Sequence, residues 1–550
     1  MIVRWAFRLF FSLLMLVNAR TLYLFLKSQD QGMLLATAAA LLALCLATAW
    51  RPLVAALAFL SLIPVISGLN VAGILPHAKF VQALFAVLYG TWYVKAGLYR
   101  YTPAPSASRT MVLALVFGWL CLASMGLCLL RHPVGLLVDD LCRGHFYDVH
   151  DVLYYLDAGT ILLQGIAAFF LYTILGATQG CPPAAIRKVL LVQAAGILVF
   201  GIAQLWTGNP PQDAGVINVY SPFDDKHSYG SYVLLLFFVF LSQARSGRRW
   251  HPVPVVLAAL FFGLVILSYS RMTFLAMLLV AMVYLWNNMS KKIMVACATA
   301  CLAFIICGNL YYTMILKTEN PLVIRYARAF SFNYIARDCN VISRELFWMR
   351  AVNIIKASPL RGVGMGRYYT RSLDYNDPEL KNFALANSCA EYADKPENAH
   401  NYFLQVAAEI GLPGLLALLG LFCTAPVFQP RRPSGAHAVP GLARGLRYGL
   451  AAYIVTWLTS HPLLLPVQQL LFWPLFALSN QFVDAPRSRR PGRFSRIKDG
   501  FLAGLAFVRN RVWPPAAEHL PRHQDSRQQP TPAAVSGHRR RNGRKQRGNR

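Results

Sequence analysis

Charge is what this chain lacks most. Only 14% of its 550 residues are Asp, Glu, Lys or Arg, while 56% are hydrophobic. Soluble globular proteins carry about 25% charged residues. Acids are scarcer still, 23 against 53 Lys and Arg. Alternating polarity is also missing: apolar residues come in solid runs such as 231–241 and 253–267. That excludes a transmembrane β-barrel, whose strands alternate lipid-facing and lumen-facing residues. The 11 cysteines include no CxxC pair and no Cys/His metal spacing. Most sit inside apolar runs, as expected of buried packing residues. No small-residue cleavage site follows Arg4 and Arg8, so the N-terminal apolar stretch reads as a retained helix. No internal repeat is visible.

What is present is a series of apolar runs near the ~20 residues a bilayer-spanning helix needs. They fall at 5–26, 33–50, 53–72, 79–97, 110–130, 159–176, 187–206, 229–243, 253–269, 271–287, 292–316, 402–428, 445–461 and 463–483. The fold class is therefore an all-α polytopic membrane protein with about 12–14 transmembrane helices. Span 1 carries Asn18 and Arg20, and span 8 is short. Basic loops (Arg100 and Arg109; Arg187 and Lys188; Arg245, Arg248 and Arg249; Lys291 and Lys292; Arg431, Arg432, Arg444 and Arg447) alternate with loops poor in Lys/Arg or rich in acids. The positive-inside rule makes the basic loops cytoplasmic. Both termini then lie in the cytoplasm, and the long loop 317–399 lies outside, followed by His400. The expected organisation is 1–243 as N-terminal helices, 244–483 as a catalytic region holding loop 317–399, and 484–550 as a basic tail. That tail carries 17 Lys and Arg against 4 Asp and Glu. It reads as a disordered segment lying against anionic lipid rather than as a nucleic-acid arm. Within it, 501–513 has the pattern of a short interfacial helix.

Three groups could carry chemistry. Arg271 ends Ser268-Tyr-Ser-Arg, the sole interruption between two apolar spans. An arginine there either pairs with an anion or snorkels to the lipid phosphates. The outer loop holds Arg325, Arg328, Arg337, Arg344, Arg350, Arg361, Arg367 and Arg371, although outer loops usually avoid arginine. The guanidinium fork suits phosphate, so some of these are candidate anion contacts. Segment 343–355 has helical periodicity, with Arg344 near its start. Pro-Leu-Arg-Gly-Val-Gly-Met-Gly at 359–366 then stops it; lacking the Lys-Ser/Thr of a Walker motif, it reads as a turn. His400 opens the next apolar helix. A lone histidine is most often structural, yet it is also the natural acceptor of a hydroxyl proton. Glu397 and Asn398 are placed to orient it, and Gln405 and the embedded Glu409 need partners. Cys339 and Cys389 could bridge in an oxidising compartment.

The pattern His-Asn-x-x-Leu-Gln-x-x-x-Glu-x-Gly-x-x-Gly-Leu (His400, Asn401, Leu404, Gln405, Glu409, Gly411, Gly414, Leu415) resembles the bacterial O-antigen ligase and polymerase superfamily. So do Ser-x-Ser-Arg at Arg271 and Arg-x-x-x-Trp followed by Pro-x-x-Gly-x-Gly (Arg344, Trp348, Pro359, Gly362, Gly364). The resemblance covers about 245–428. It implies a GT-C-type glycosyltransferase of the bacterial inner membrane with a long periplasmic loop before the histidine-bearing helix. The donor would be an undecaprenyl-diphosphate-linked glycan. The acceptor would be a hydroxyl of lipid A core or of a growing polysaccharide. His400 would be the base and Arg271 and Arg344 would hold the diphosphate. Glu397, Asn401, Gln405 and Glu409 would support them, with Arg325 and Arg328 as further anion contacts. No metal, nucleotide or other cofactor is implied, and no nucleic-acid partner. The long basic tail departs from the family's usual pattern. A transporter or flippase for lipid-linked sugars is the reading from a different class; it predicts broken helices in paired halves, and no such symmetry is visible.

Overall fold

The computed structural model describes residues 2–28, 31–72, 79–98, 108–130, 154–207, 222–223, 225–246, 249–268, 270–288, 338–386, 389–429 and 440–482, with isolated positions between 288 and 338. Arg325, Arg328, most of the expected span 292–316, and the tail with its segment 501–513 lie outside them. The regular secondary structure of the described residues is helical apart from a short β-ladder pairing Arg245 with Trp250.

The apolar runs form α1 (Ile2–Lys27), α2 (Gln31–Trp50), α3 (Pro52–Val71), α4 (Phe80–Leu98), α5 (Arg109–Leu129), α6 (Tyr154–Gln179), α7 (Pro183–Thr207), α8 (Lys226–Ala244), α9 (Pro252–Leu267) and α10 (Arg271–Asn288). A polar stretch follows with α11 (Cys339–Ala357) and α12 (Pro378–Ala386). The chain then returns to apolar helices: α13 (Tyr402–Ile410), α14 (Leu412–Thr424), α15 (Pro440–Thr456) and α16 (Pro466–Ser479). Six of these are long and apolar enough to cross a membrane, and Leu34–Trp50, Pro252–Leu267 and Leu412–Thr424 are shorter apolar helices. This is a polytopic membrane protein. Two polar residues of α1 find partners within the bundle: the Gln164 Nε2 of α6 donates to Asn18 Oδ1 at 3.2 Å, and Arg20 Nη1 donates to Thr160 Oγ1 at 3.5 Å.

Helix α8 sits at the centre, buried on nearly every side, against α9 and α15. The α8–α15 contact depends on a small-residue seam. Gly441, Gly445 and Gly449 recur every four residues along one face of α15. A Cβ on Gly445 would lie 2.7 Å from Val239 Cα, and one on Gly449 would lie 2.6 Å from Leu235 O. Such seams let helix backbones approach closely in membranes. Gly445→Leu should therefore force α15 off α8, with an overpacking cost of about 1–3 kcal/mol or more. The expected result is a lowered melting temperature in detergent. Gly441→Ala is the milder control, because its Cβ would lie 3.0 Å from the nearest atom.

Outside the apolar helices, α11, α12 and the loops to 401 form a small unit with two minor apolar cores, one around Ile354 and Tyr368 and one around Leu346 and Leu380. Buried Arg350 ties it together, donating to the carbonyls of Lys395 at 3.0 Å, Tyr392 at 3.1 Å and Ala393 at 2.5 Å. Cys339 and Cys389, 50 positions apart in sequence, form a disulfide with Cα atoms 5.6 Å apart. Closing a loop of that length is worth about 4 kcal/mol in the chain-entropy account. Cys389→Ser should leave the apolar helices folded and make the 338–401 unit the first site of limited proteolysis.

Candidate functional site

The starts of three helices and two connecting loops converge. At the head of α8, the Asp225 carboxylate accepts from Ser228 N and Ser228 Oγ, both at 2.7 Å. This caps the first turn and presents His227, whose Nδ1 lies 3.0 Å from Ser270 Oγ. Ser270 in turn starts α10: its hydroxyl accepts from Thr273 Oγ1 at 2.8 Å and its carbonyl from Phe274 N at 3.1 Å. Arg271 is thus the first residue of α10, where the turn fixes its direction. Its Nη2 meets Asp338 Oδ2 at 2.6 Å, with the two side chains 21% and 4% exposed.

Asp338 is the N-cap of α11; its Oδ1 accepts from Asn340 N at 3.0 Å. Burial alone would raise the Asp338 carboxyl. The Arg271 charge and the Asn340 donors overcome this and hold it below the usual carboxylate range. Arg344 follows in the second turn of α11. It makes no hydrogen bond or ion pair among the described residues. Burial, and then the Arg271 charge, pull its pKa down, so its cationic form is under stress that an anion would relieve.

His400 precedes α13 with φ 47°, the one non-glycine residue with positive φ among the described residues. Histidine enters that region more readily than most side chains. The flanks enforce it: Asn401 caps α13 through Leu404 N at 3.1 Å, and Tyr402 N donates to Trp457 O at 2.9 Å. The imidazole stacks on Phe347 of α11 at 5.9 Å and meets the His461 ring edge-on at 4.5 Å. Burial, followed by repulsion from His461 whenever that ring is protonated and from the Arg344 charge, holds its pKa down to about 2. The ring of the empty site is therefore neutral at physiological pH.

Behind the histidine lies a brace. The chain breaks at Gly411, with φ 84°, and the glycine turn docks its backbone there: Val363 N donates to Ala408 O at 2.9 Å, Gly364 N to Glu409 O at 3.0 Å, and Leu412 N to Pro359 O at 2.7 Å. Gly411 cannot carry a Cβ, which would lie 2.5 Å from Leu360 O. The buried Glu409 carboxylate accepts from Gly366 N at 2.9 Å, Tyr368 N at 3.2 Å and Gln405 Nε2 at 3.2 Å. The Tyr368 hydroxyl donates to Phe347 O at 2.6 Å. The glycine cluster is thus a clamp between α11 and α13, with the Gly362, Val363 and Gly364 amides on backbone carbonyls, that of Met365 on Ser124 Oγ and that of Gly366 on Glu409.

Of the residues expected from sequence, Arg271, Arg344 and His400 come together in one electrostatic neighbourhood. Asn401, Gln405 and Glu409 stand behind them as supports. Glu397 pairs with Lys395 at 3.7 Å, and neither it nor Asn398 hydrogen-bonds the His400 ring; ring contacts orient that histidine instead. Arg271 has a protein partner rather than a purely lipid-facing end. Among the other arginines of the 317–399 loop, Arg350 is structural and Arg371 pairs with Asp374 at 3.0 Å. The sequence reading missed Asp225, His227, Asp338 and His461. The available signal was position: His227 and His461 are polar residues at span ends on the face assigned to His400.

Residues 255–419 match the family model described as O-antigen ligase. A Rickettsia felis protein named "Putative polysaccharide ligase" is 25% identical over 176 residues. That match covers 32% of this chain and 39% of the relative. Arg271, Arg344 and His400 fall inside the matched region; Asp225, His227 and His461 fall outside it.

Proposed function

We propose that the O-antigen-ligase-like region makes this chain a membrane glycosyltransferase that moves a glycan from an undecaprenyl-diphosphate donor to a hydroxyl acceptor on the periplasmic face. The observation that carries the reading is a neutral imidazole, His400, held beside two guanidiniums, Arg271 and Arg344, of which Arg344 has no anionic partner among the described residues. The acceptor oxygen attacks the anomeric carbon of the donor sugar while His400 takes its proton. The bond from that carbon to the diphosphate oxygen breaks with its electron pair. Charge accumulates on the diphosphate, and preplaced guanidiniums stabilise it more than they stabilise the bound donor. Glu409 and Gln405 keep the clamp that fixes His400 relative to α11. The chemistry needs no group beyond these side chains.

The test is the purified full chain in detergent with a lipid-linked glycan and a hydroxyl acceptor. Transfer to the acceptor is expected. A flippase has no two sides to work between in detergent, so absence of product from folded protein would overturn the assignment. The acceptor is read from a chromosomal deletion. Uncapped lipid A with stored lipid-linked polymer identifies a ligase, and single-repeat capping identifies a polymerase.

A further inference from the structure

We propose that His461 is a second working imidazole of the site, which takes up a proton as the donor's diphosphate enters and hydrogen-bonds that diphosphate, leaving His400 neutral as the base. The inference rests on the function proposed above and adds a residue outside the region matched by the ligase family.

Three observations single out His461. It lies at the corner between α15 and α16, fixed by Leu464 N donating to its carbonyl at 3.0 Å, and its ring touches His400 at 4.5 Å. Its Nδ1 is buried and has no hydrogen-bond partner among the described residues. An unpartnered buried ring nitrogen costs free energy unless something arrives to meet it. The other two histidines are committed: His227 Nδ1 is engaged with Ser270 Oγ at 3.0 Å, and His400 must stay unprotonated to accept the hydroxyl proton.

The surrounding charges give the direction. Asp225, Lys226 and His227 come from the head of α8, Arg344 from α11, and Lys395, Glu397 and His400 from the loop before α13, with Arg271 of α10 and Asp338 next to Arg344. Asp338 is spent on Arg271 and Glu397 pairs with Lys395. Burial lowers the His461 pKa, Arg344 lowers it further, and Asp225 and Glu397 offset only part of this. The empty site therefore holds His461 neutral. A diphosphate brings several negative charges beside it and reverses the balance. The protons then account as follows. Solvent supplies one to His461 on binding. During transfer His400 gains the acceptor's proton, while the departing diphosphate receives the electron pair and the His461 proton. His400 then releases the acceptor's proton to solvent, which returns both rings to their neutral state.

The experiment is calorimetric titration of the full chain in detergent with geranylgeranyl diphosphate, in two buffers of different ionisation enthalpy at neutral pH. The wild type should take up about one proton per site, and its Kd should fall as pH falls. His461→Gln should bind with that uptake lost, and His400→Asn should retain it. Binding with a buffer-independent enthalpy in the wild type, or unchanged uptake in His461→Gln, would overturn this inference and leave the transferase reading standing. Failure of the wild type to bind a prenyl diphosphate would overturn both.

Discussion

Arg271→Ala should lower glycan transfer by about 10²–10³-fold, the usual cost of losing one preorganised donor to a developing anion. Two effects need separating, because Arg271 also neutralises Asp338. Removing the arginine alone leaves a carboxylate only 4% exposed without its counter-charge. Breaking a buried pair costs about 3–5 kcal/mol, and the partial exposure of Arg271 places this pair below that range. The double variant Arg271→Ala/Asp338→Asn separates the two. Asparagine still caps α11, so the melting temperature should return towards wild type while transfer stays low. Asp338→Asn alone frees the guanidinium from its competitor and should lower the donor KM. Initial rates and melting curves on the three variants decide the matter. Full activity in the stable double variant would show that Arg271 is a structural residue.

The legibility of this chain follows from which signals are periodic or clustered. Solid apolar runs with basic flanks specify spans locally, so the all-helical membrane architecture could be read directly. The groups at Arg271, Arg344 and His400 were legible because each stands in a short motif. What the sequence hid is pairwise. Asp338 is a single acid whose meaning depends on a fork more than sixty positions earlier. Glu409 is explained only by amides of a glycine turn folded back onto α13. The glycines of α15 are ordinary in composition, and their role appears only once α8 is laid against them. His461 carries no signal in the sequence, because a lone His-Pro between two spans has no pattern of its own.

His400 gives the other large effect. The left-handed φ of 47° decides which variant is informative. Asparagine tolerates that region better than alanine or glutamine, so His400→Asn removes the base while preserving the turn. Transfer should fall by about 10²–10⁴-fold, as expected for a general base, with little change in binding of a prenyl diphosphate. The pH dependence follows from the direction of the shift. In the empty enzyme burial and the neighbouring cations hold the ring down to about 2, against an ordinary histidine value of about 6.5. A lowered pKa means the neutral form persists as pH falls through that ordinary value. The kcat/KM profile, which reports the free enzyme, should therefore show no acid-side loss there from His400. A base that weak is a poor proton acceptor until the bound diphosphate offsets the guanidiniums and raises it. The kcat profile reports the complex, so its acid limb should lie at higher pH than that of kcat/KM and should disappear in His400→Asn. Coincident limbs in the two profiles would mean that the anion does not tune the histidine, and that its environment is fixed by the protein alone.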